Sequence, residues 1–409
     1  MTWPLAVLGG GAAGMMAAIT AAERGLSVLL IERNPRPGKK VLVSGNGRCN
    51  LTNLRAGPDH YYGQNPHFVK SPLARFTVQD TLEFFEELGL EWREEQEGRV
   101  FPLTNQAASV LELLEYRLAQ LKVNIIPGSR VTGLEPEGGC FRIDLAGGKS
   151  HRAMCVIVAL GSNAHPQLGT TGDGYELMSR LGHSIVTPYP TLVSMLTPSP
   201  AFHRLQGLRL QVEGSAFVGD RLIASRSGEI LFTAQGVSGP IVLALSAPLS
   251  SRLLDRETLR LRLNLMPGHD EEMIDHCLEK RWSRDPGRTL DFSFVGLVPK
   301  KLGLELVALA QADGAAPVGS VSQKIRRTLA RLMSGLDVPI SGLGSFQQAE
   351  VSGGGISTDQ VSSRTLGSRL HKGLFVAGEI LDVHGDWGGF NLQFAWSTGR
   401  IAGLSASEK

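Results

Sequence analysis

Gly9, Gly11 and Gly14 stand at the spacing G-x-G-x-x-G, and Glu32 closes the next apolar run. These residue types suit a dinucleotide. The first glycine allows a tight turn, the second lets backbone approach a pyrophosphate, and the third lets helix and strand pack closely. A helix N-terminus beyond them offers free N–H groups and a positive dipole end to phosphate. Glu32 can accept hydrogen bonds from a ribose, and its charge repels a 2′-phosphate, which argues against NADP here. The chain then reads RNPRPGKKVLVSGNGRCNLTN, with cations at Arg33, Arg36, Lys39, Lys40 and Arg48. Read as a polar, glycine-rich loop, it would bring N–H groups and positive charge to a long anionic ligand.

Three glycines mean little outside their setting. Pro4 to Leu8 is an apolar run long enough for a buried strand, and it leads straight into Gly9. Met15 to Arg24 is Ala-rich with helical spacing, and Gly25 ends it. Ser27 to Ile31 is a second apolar run before Glu32. Strand, glycine turn, helix, strand and acid therefore follow in order.

The chain has 409 residues, a length that suggests two or three domains. Its 42% hydrophobic and 20% charged content is that of a globular protein. The net charge of +2 gives no basic tract that would call for nucleic acid, and none is expected as a partner. No charged, apolar and cleavable leader precedes the first strand, and no run of about 18 uncharged apolar residues occurs. Neither a signal peptide nor a membrane contact is expected. Cys49, Cys140, Cys155 and Cys277 show neither C-x-x-C nor metal spacing, so reduced thiols in the cytoplasm and no metal are expected.

Along the chain, residues 72–122 read as helical. Leu82, Phe85 and Leu88 form one stripe, and Val110, Leu113, Leu114, Leu118 and Leu121 another. Val123 to Pro127 reads as a strand, followed by a three-strand meander in which Phe141 to Leu145 alternates. The run Cys155 to Leu160, ending at Gly161, reads as a central strand whose end, with Ala159 and Gly161, approaches the ligand. Gly169, Gly172 and Gly174 surround Asp173 at a second helix start suited to an anion. From about Pro190 short β-rich runs alternate with turns, and Ser238-Gly239-Pro240 reads as a helix start with Ser238 as N-cap. The expected domains are 1–190, an insertion at 191–340, and a return at 341–409. The insertion divides into a small antiparallel β-barrel, 191–266, and a helical part, 267–340.

SGNGRCNLTN following GGGAAG and the Glu32 strand resembles the HI0933-like flavoprotein family, also described as BaiN/RdsA or aminoacetone-oxidase-like. The resemblance spans nearly the whole chain and is strongest at 5–53 and 373–403. It implies an α/β, Rossmann-like FAD-binding domain of the glutathione-reductase and fumarate-reductase type, with FAD rather than NAD bound. It implies cofactor contacts from Gly9, Gly11, Ala12, Ala13, Gly14, Glu32, Arg33 and Lys40. Ser44, Gly45, Gly47, Arg48, Cys49 and Asn50 follow. The backbone of Val131 would meet the adenine. Gly378 and Glu379, in GLFVAGE, would meet the ribityl chain or pyrophosphate. Gly389, Phe390 and Asn391 open a final helix that could stabilise charge on a reduced flavin. The family often carries His after Thr in LFTH-x-G-x-SGP; Ala234 stands there in this chain, so no role of that His carries over.

These features imply an FAD-dependent oxidoreductase acting on a small organic substrate, with the insertion capping the flavin. One alternative is an NAD(P)H-driven reductase of an activated C=C bond rather than an oxidase of an amine such as aminoacetone. Another is a non-catalytic or RNA-modifying flavoprotein. One dinucleotide motif is present, so NAD(P)H would be a transient reductant. No pattern singles out a catalytic acid or base or an oligomeric state. His384 and Asp386 precede the GGFN turn and could lie near the flavin edge. Cys49 lacks a partner for thiol redox chemistry, and His165, His183, Trp387 and Trp396 read as structural.

Overall fold

β1 (Thr2–Leu8), α1 (Ala12–Glu23) and β2 (Val28–Ile31) form in the expected order. Leu5 to Leu8 and Val28 to Ile31 are buried, as strands covered on both faces must be. The computed structural model describes residues 2–254 and 257–408. They fall into two units: Met1–Thr191 with Ser345–Lys409, and Leu192–Gly344.

In the first unit the sheet runs Asn124–Ile126, β2, β1, Ser150–Val158, Cys140–Leu145, Val131–Glu137. Ser150–Val158 pairs antiparallel with the meander through its first half. Its second half pairs parallel with β1 on one side and with Leu374–Val376 on the other. The registers Leu8↔Ile31, Leu8↔Val158 and Val158↔Val376 bring four strand ends into line. Gly9, Glu32, Ala159 and Ala377 come next in the chain and emerge along that one edge. This is the carboxyl edge of a parallel sheet, where such folds bind ligands.

The terminal helix Phe390–Ser407 packs on α1 through two glycines. A Cβ on Gly399 would lie 2.4 Å from the Ala13 carbonyl oxygen, and one on Gly403 would lie 2.6 Å from that of Ala17. This close approach carries the start of the terminal helix toward the glycine turn.

Three local expectations are corrected. The stretch after Glu32 is not all loop: α2 (Lys39–Gly47) forms there, leaving helical geometry at Ser44 and turning left-handed at Gly45 and Asn46 (φ +56° and +58°). Residues 72–122 are not continuously helical. A hairpin of Trp92–Glu95 with Arg99–Pro102 separates the helices Val78–Glu87 and Ala107–Gln120. Its turn uses Glu97 and Gly98, both at positive φ, while Val100 and Phe101 fill the core. Finally, the helix Pro240–Ser246 has Gly239 rather than Ser238 as its N-cap. Its φ of +95° suits glycine, and a Cβ there would lie 2.8 Å from the Glu229 carbonyl oxygen.

The second unit is built on an antiparallel sheet ordered Leu336–Ile340, Leu259–Asn264, Arg209–Val218, Arg221–Phe232, Gly236–Ser238, Met195–Leu196, Gly342–Leu343. Sheet and helices are not divided near residue 266. Leu336–Ile340 returns from beyond the helices Glu271–Ser283, Lys300–Leu309 and Gln323–Ser334 to pair with Leu259–Leu263. Phe232, Leu261, Leu278, Leu306 and Leu329 share one core.

Candidate functional site: a dinucleotide cradle

The glycine turn is explained by sterics. Gly9 has φ +102°, and a Cβ there would lie 2.3 Å from the Ala159 carbonyl oxygen. A Cβ on Gly14 would lie 1.8 Å from the Gly9 carbonyl oxygen. Gly11 differs: a Cβ there would meet nothing within 4 Å. Two glycines therefore close the turn, and the third faces open space. Gly11 is the N-cap of α1 and offers no side-chain cap. The N–H groups of Ala12, Ala13 and Gly14 are the ones a first helical turn cannot satisfy itself.

Glu32 is buried at the end of β2. Its Oε2 accepts from the Gly10 N–H (2.7 Å), and its Oε1 accepts from the Asn34 N–H (2.7 Å) and side-chain amide (2.8 Å). These donors hold the carboxylate against the glycine turn, and lone-pair capacity remains for a ribose hydroxyl. The Ser129 N–H donates to the Glu32 carbonyl (2.8 Å), which brings buried Val131 to this end of the cradle.

The last segment of the unit closes the other side. Gly378 has φ +80°, and a Cβ there would lie 2.8 Å from the Ala13 Cβ. Glu379 accepts from Lys40 Nζ (2.6 Å), Ser162 Oγ (2.7 Å) and the Ser352 N–H (3.1 Å). Gly161, at φ +73°, begins the loop that supplies Ser162. Burial raises the Glu350 carboxyl to about 7, with Lys40 opposing the shift.

The Ser44–Gly47 turn meets the terminal helix at Asn50. A Cβ on Gly45 would lie 2.8 Å from the Asn50 nitrogen, and one on Gly389 would lie 2.9 Å from Asn50 Oδ1. That Oδ1 is buried without a hydrogen-bond partner. Gly389 caps the terminal helix, and Phe390 is its first residue. Asn391 accepts from the Gly385 N–H (2.7 Å) and donates to the carbonyls of Gly385 and Asp386 (3.1 and 3.2 Å), locking the turn before the helix. An open helix N-terminus, an orphaned amide oxygen and a line of glycines fit a dinucleotide-bearing cofactor.

Other residues from the sequence reading have different work. Arg33 contacts Thr171 (2.6 Å) and Asp173 (3.3 Å), and Arg130 holds the same Asp173 through two bonds. That second helix start is thus occupied by its own acid. Burial would raise Asp173, but Arg130, Thr171 and Arg33 outweigh it and hold it below the usual range. Arg48 turns to Glu95 and Asn105 and lies over the Phe101 ring, all of them on or beside the hairpin absent from the sequence reading. Cys49 is fully buried at φ +60°, and burial pushes its thiol up to about 12, with Ser44 opposing. His183 is buried and lowered to about 4 by burial, with the neighbouring His371 adding to the shift. Trp396 is core, its Nε1 donating to the Leu51 carbonyl (2.9 Å).

Sequence reasoning missed His60 and Tyr62. The strand Tyr61–Tyr62 pairs with His384–Gly385, and both His60 and Tyr62 bond the carboxylate of Asp386. The stretch around them has no periodicity, and only this long-range pairing marks it. His384 is buried, its ring 5.2 Å from that of Tyr62.

The fold is that of an FAD-dependent oxidoreductase with a Rossmann-type domain. The chain belongs to the HI0933-like family: the model described as HI0933-like protein Rossmann domain matches residues 4–405. It is 35% identical to the 3-dehydro-bile acid delta(4,6)-reductase of Clostridium scindens, over 99% of each chain. It is 31% identical to the ribosomal RNA dihydrouridine synthase of Escherichia coli, over 96% of this chain and 95% of that one. Among solved structures, the 3-ketosteroid delta1-dehydrogenase from Sterolibacterium denitrificans shares the fold. The TM-score is 0.53 at 14% identity, covering 100% of this chain and 99% of that one. No helix among the described residues is long and apolar enough to cross a membrane.

Proposed function

We propose that the chain is an FAD-dependent reductase that saturates a carbon–carbon double bond conjugated to a carbonyl, with NAD(P)H as transient reductant. The observation that carries this reading is the 35% identity over 99% of both chains to a delta(4,6)-reductase. The dihydrouridine synthases support it, because their product is also a saturated bond beside a carbonyl. Gly11, Ala12 and Ala13 would hold the FAD pyrophosphate, Glu32 the ribose, and the Val131 backbone the adenine. Gly378, Glu379 and Lys40 would meet the ribityl side, and Gly389 to Asn391 with Asn50 the flavin end. Bound FAD supplies hydride transfer. With one dinucleotide motif in the chain, the nicotinamide has to come and go.

The test is anaerobic photometry of the purified protein. NADH or NADPH should bleach the flavin, and colour should return when 2-cyclohexenone or a 4-ene-3-ketosteroid is added. Bleaching by aminoacetone, with fast recovery in air, would favour an amine oxidase instead. No flavin absorbance after reconstitution with FAD would overturn the cofactor reading.

A second reading has an observation of its own. Two relatives named as ribosomal RNA dihydrouridine synthases are 31% and 32% identical over 96% and 98% of this chain. If the double bond belongs to uridine, a ribosomal RNA transcript will restore the flavin colour and the simple enones will not. We place either activity in the cytoplasm, in keeping with four cysteines that show neither C-x-x-C nor metal spacing.

A further inference from the structure

We propose that His60 is the acid–base residue of this site, with Asp386 as its positioning partner; this rests on the ene-reductase reading above. The two residues are 326 positions apart, yet His60 Nδ1 lies 2.9 Å from Asp386 Oδ2. The backbone fixes the meeting. Tyr61 and Tyr62 pair antiparallel with Gly385 and His384, and the Asp386 N–H donates to the His60 carbonyl (2.9 Å). Asp386 is itself held: its side chain is 9% exposed, and Oδ1 accepts from the Tyr62 hydroxyl (2.8 Å).

The imidazole is fixed in plane as well as at Nδ1. It stacks on Phe390 with ring centroids 4.7 Å apart and an interplanar angle of 29°. Phe390 is the first residue of the terminal helix, immediately after Gly389. A third element, Asn391, clamps the Gly385–Asp386 turn. The His60 side chain is 35% exposed, so the ring keeps an open side. A carboxylate at Nδ1 selects the tautomer with its proton there and turns Nε2 outward as the proton-exchanging atom. Nucleophile–base–acid sites use the same orienting logic.

The β-carbon of the enone receives a hydrogen with two electrons, originating in NAD(P)H. The C=C π pair then forms the new C–H bond at the α-carbon with the Nε2 proton of the imidazolium form of His60, which is left as the neutral Nδ1–H tautomer. Neutral His60 regains that proton from water. The products are the saturated carbonyl compound and NAD(P)⁺, with one proton consumed.

Two measurements test this on the FAD-loaded full chain. In the first, enzyme reduced with NADPH is mixed either with 2-cyclohexenone or with oxygen, and flavin colour is followed. Proton transfer by a placed side chain contributes about 10²–10⁴-fold. The ratio of the enone rate to the oxygen rate should fall by about that factor in His60→Gln, and by at least about tenfold in Asp386→Asn. Equal losses with both oxidants would mean a structural tie, and would overturn the proposal. In the second, ¹⁵N-histidine spectra report the His60 tautomer without turnover. The Nδ1–H form should dominate in the parent and decline in Asp386→Asn. An Nε2–H form in the parent would overturn the assignment even if the enone is consumed. A parent reoxidised by oxygen but not by enone would sink the ene-reductase reading, and the spectra would still judge the His60–Asp386 geometry.

Discussion

Lys40 and Glu379 are 339 positions apart in the chain and meet at 2.6 Å. One belongs to α2, just beyond the Glu32 strand; the other follows the strand Leu374–Val376. Their side chains are 25% and 21% exposed, so the pair is screened only in part. Ser162 and the Ser352 N–H complete the shell of Glu379. Four segments of the chain are thereby tied at one carboxylate.

That tie predicts a coupling. Lys40→Met and Glu379→Gln should each destabilise the protein by about 1–2 kcal/mol. The double variant should show about 0.5–2 kcal/mol of non-additivity in urea unfolding. Strict additivity would mean the contact contributes nothing.

The three glycines of the turn should separate. Gly14→Ala forces a Cβ to 1.8 Å from the Gly9 carbonyl oxygen and should cost about 3 kcal/mol or more. Gly11→Ala meets nothing within 4 Å and should leave apoprotein stability within about 1 kcal/mol. FAD affinity of Gly11→Ala should nevertheless fall at least about tenfold, read by flavin fluorescence titration. Unchanged affinity would mean the pyrophosphate lies elsewhere.

Glu32 tests the ribose placement. Glu32→Gln keeps the volume but loses a charge-assisted acceptor, and FAD affinity should fall about tenfold. Glu32→Arg should also unfold the protein more readily, because the Gly10 and Asn34 N–H groups lose their acceptor. Full flavin occupancy in both variants would exclude the placement.

Glu350 predicts a pH dependence. Burial raises its folded value to about 7 from 4.5, so the folded state binds more protons than the unfolded one between those values. Stability is therefore present below about pH 4.5 and is lost as pH rises through 7, by at most about 3 kcal/mol. Glu350→Gln should flatten this fall in melting temperature. It should raise stability at pH 8 and leave pH 5 little changed.

The cysteines should react unequally. Cys49 and Cys155 are buried, and Cys140 and Cys277 are half-buried. A mild thiol reagent should label the latter two in the native protein. Cys49, its thiol pushed up to about 12, should label only at the rate of unfolding. Fast native labelling at Cys49 would restore it as a redox candidate.

The dinucleotide turn, the acid after the second strand and the glycine start of the terminal helix were legible in the chain itself. Each is a local pattern: a run of apolar residues, a spacing of glycines, a residue next to a strand end. Gly9, Gly11, Gly14, Glu32 and Gly389 occupy such positions because helix and strand geometry act over a few residues. The family resemblance rests on the same local stretches.

Arg48 shows where local reading ends. It stands among cations suited to an anionic ligand, yet its guanidinium goes to Glu95 and Asn105. The hairpin that brings Glu95 there lies between two helices, and Trp92 to Pro102 is too short to show a clear period of its own. Likewise, nothing near His60 or Tyr62 announces Asp386, more than 320 residues away. Local spacing determined the elements of the cradle and the class of ligand it suits. Which side chains meet across it was decided by strand pairing and helix packing between distant segments, because such contacts depend on the closed fold and leave no periodic trace in the chain.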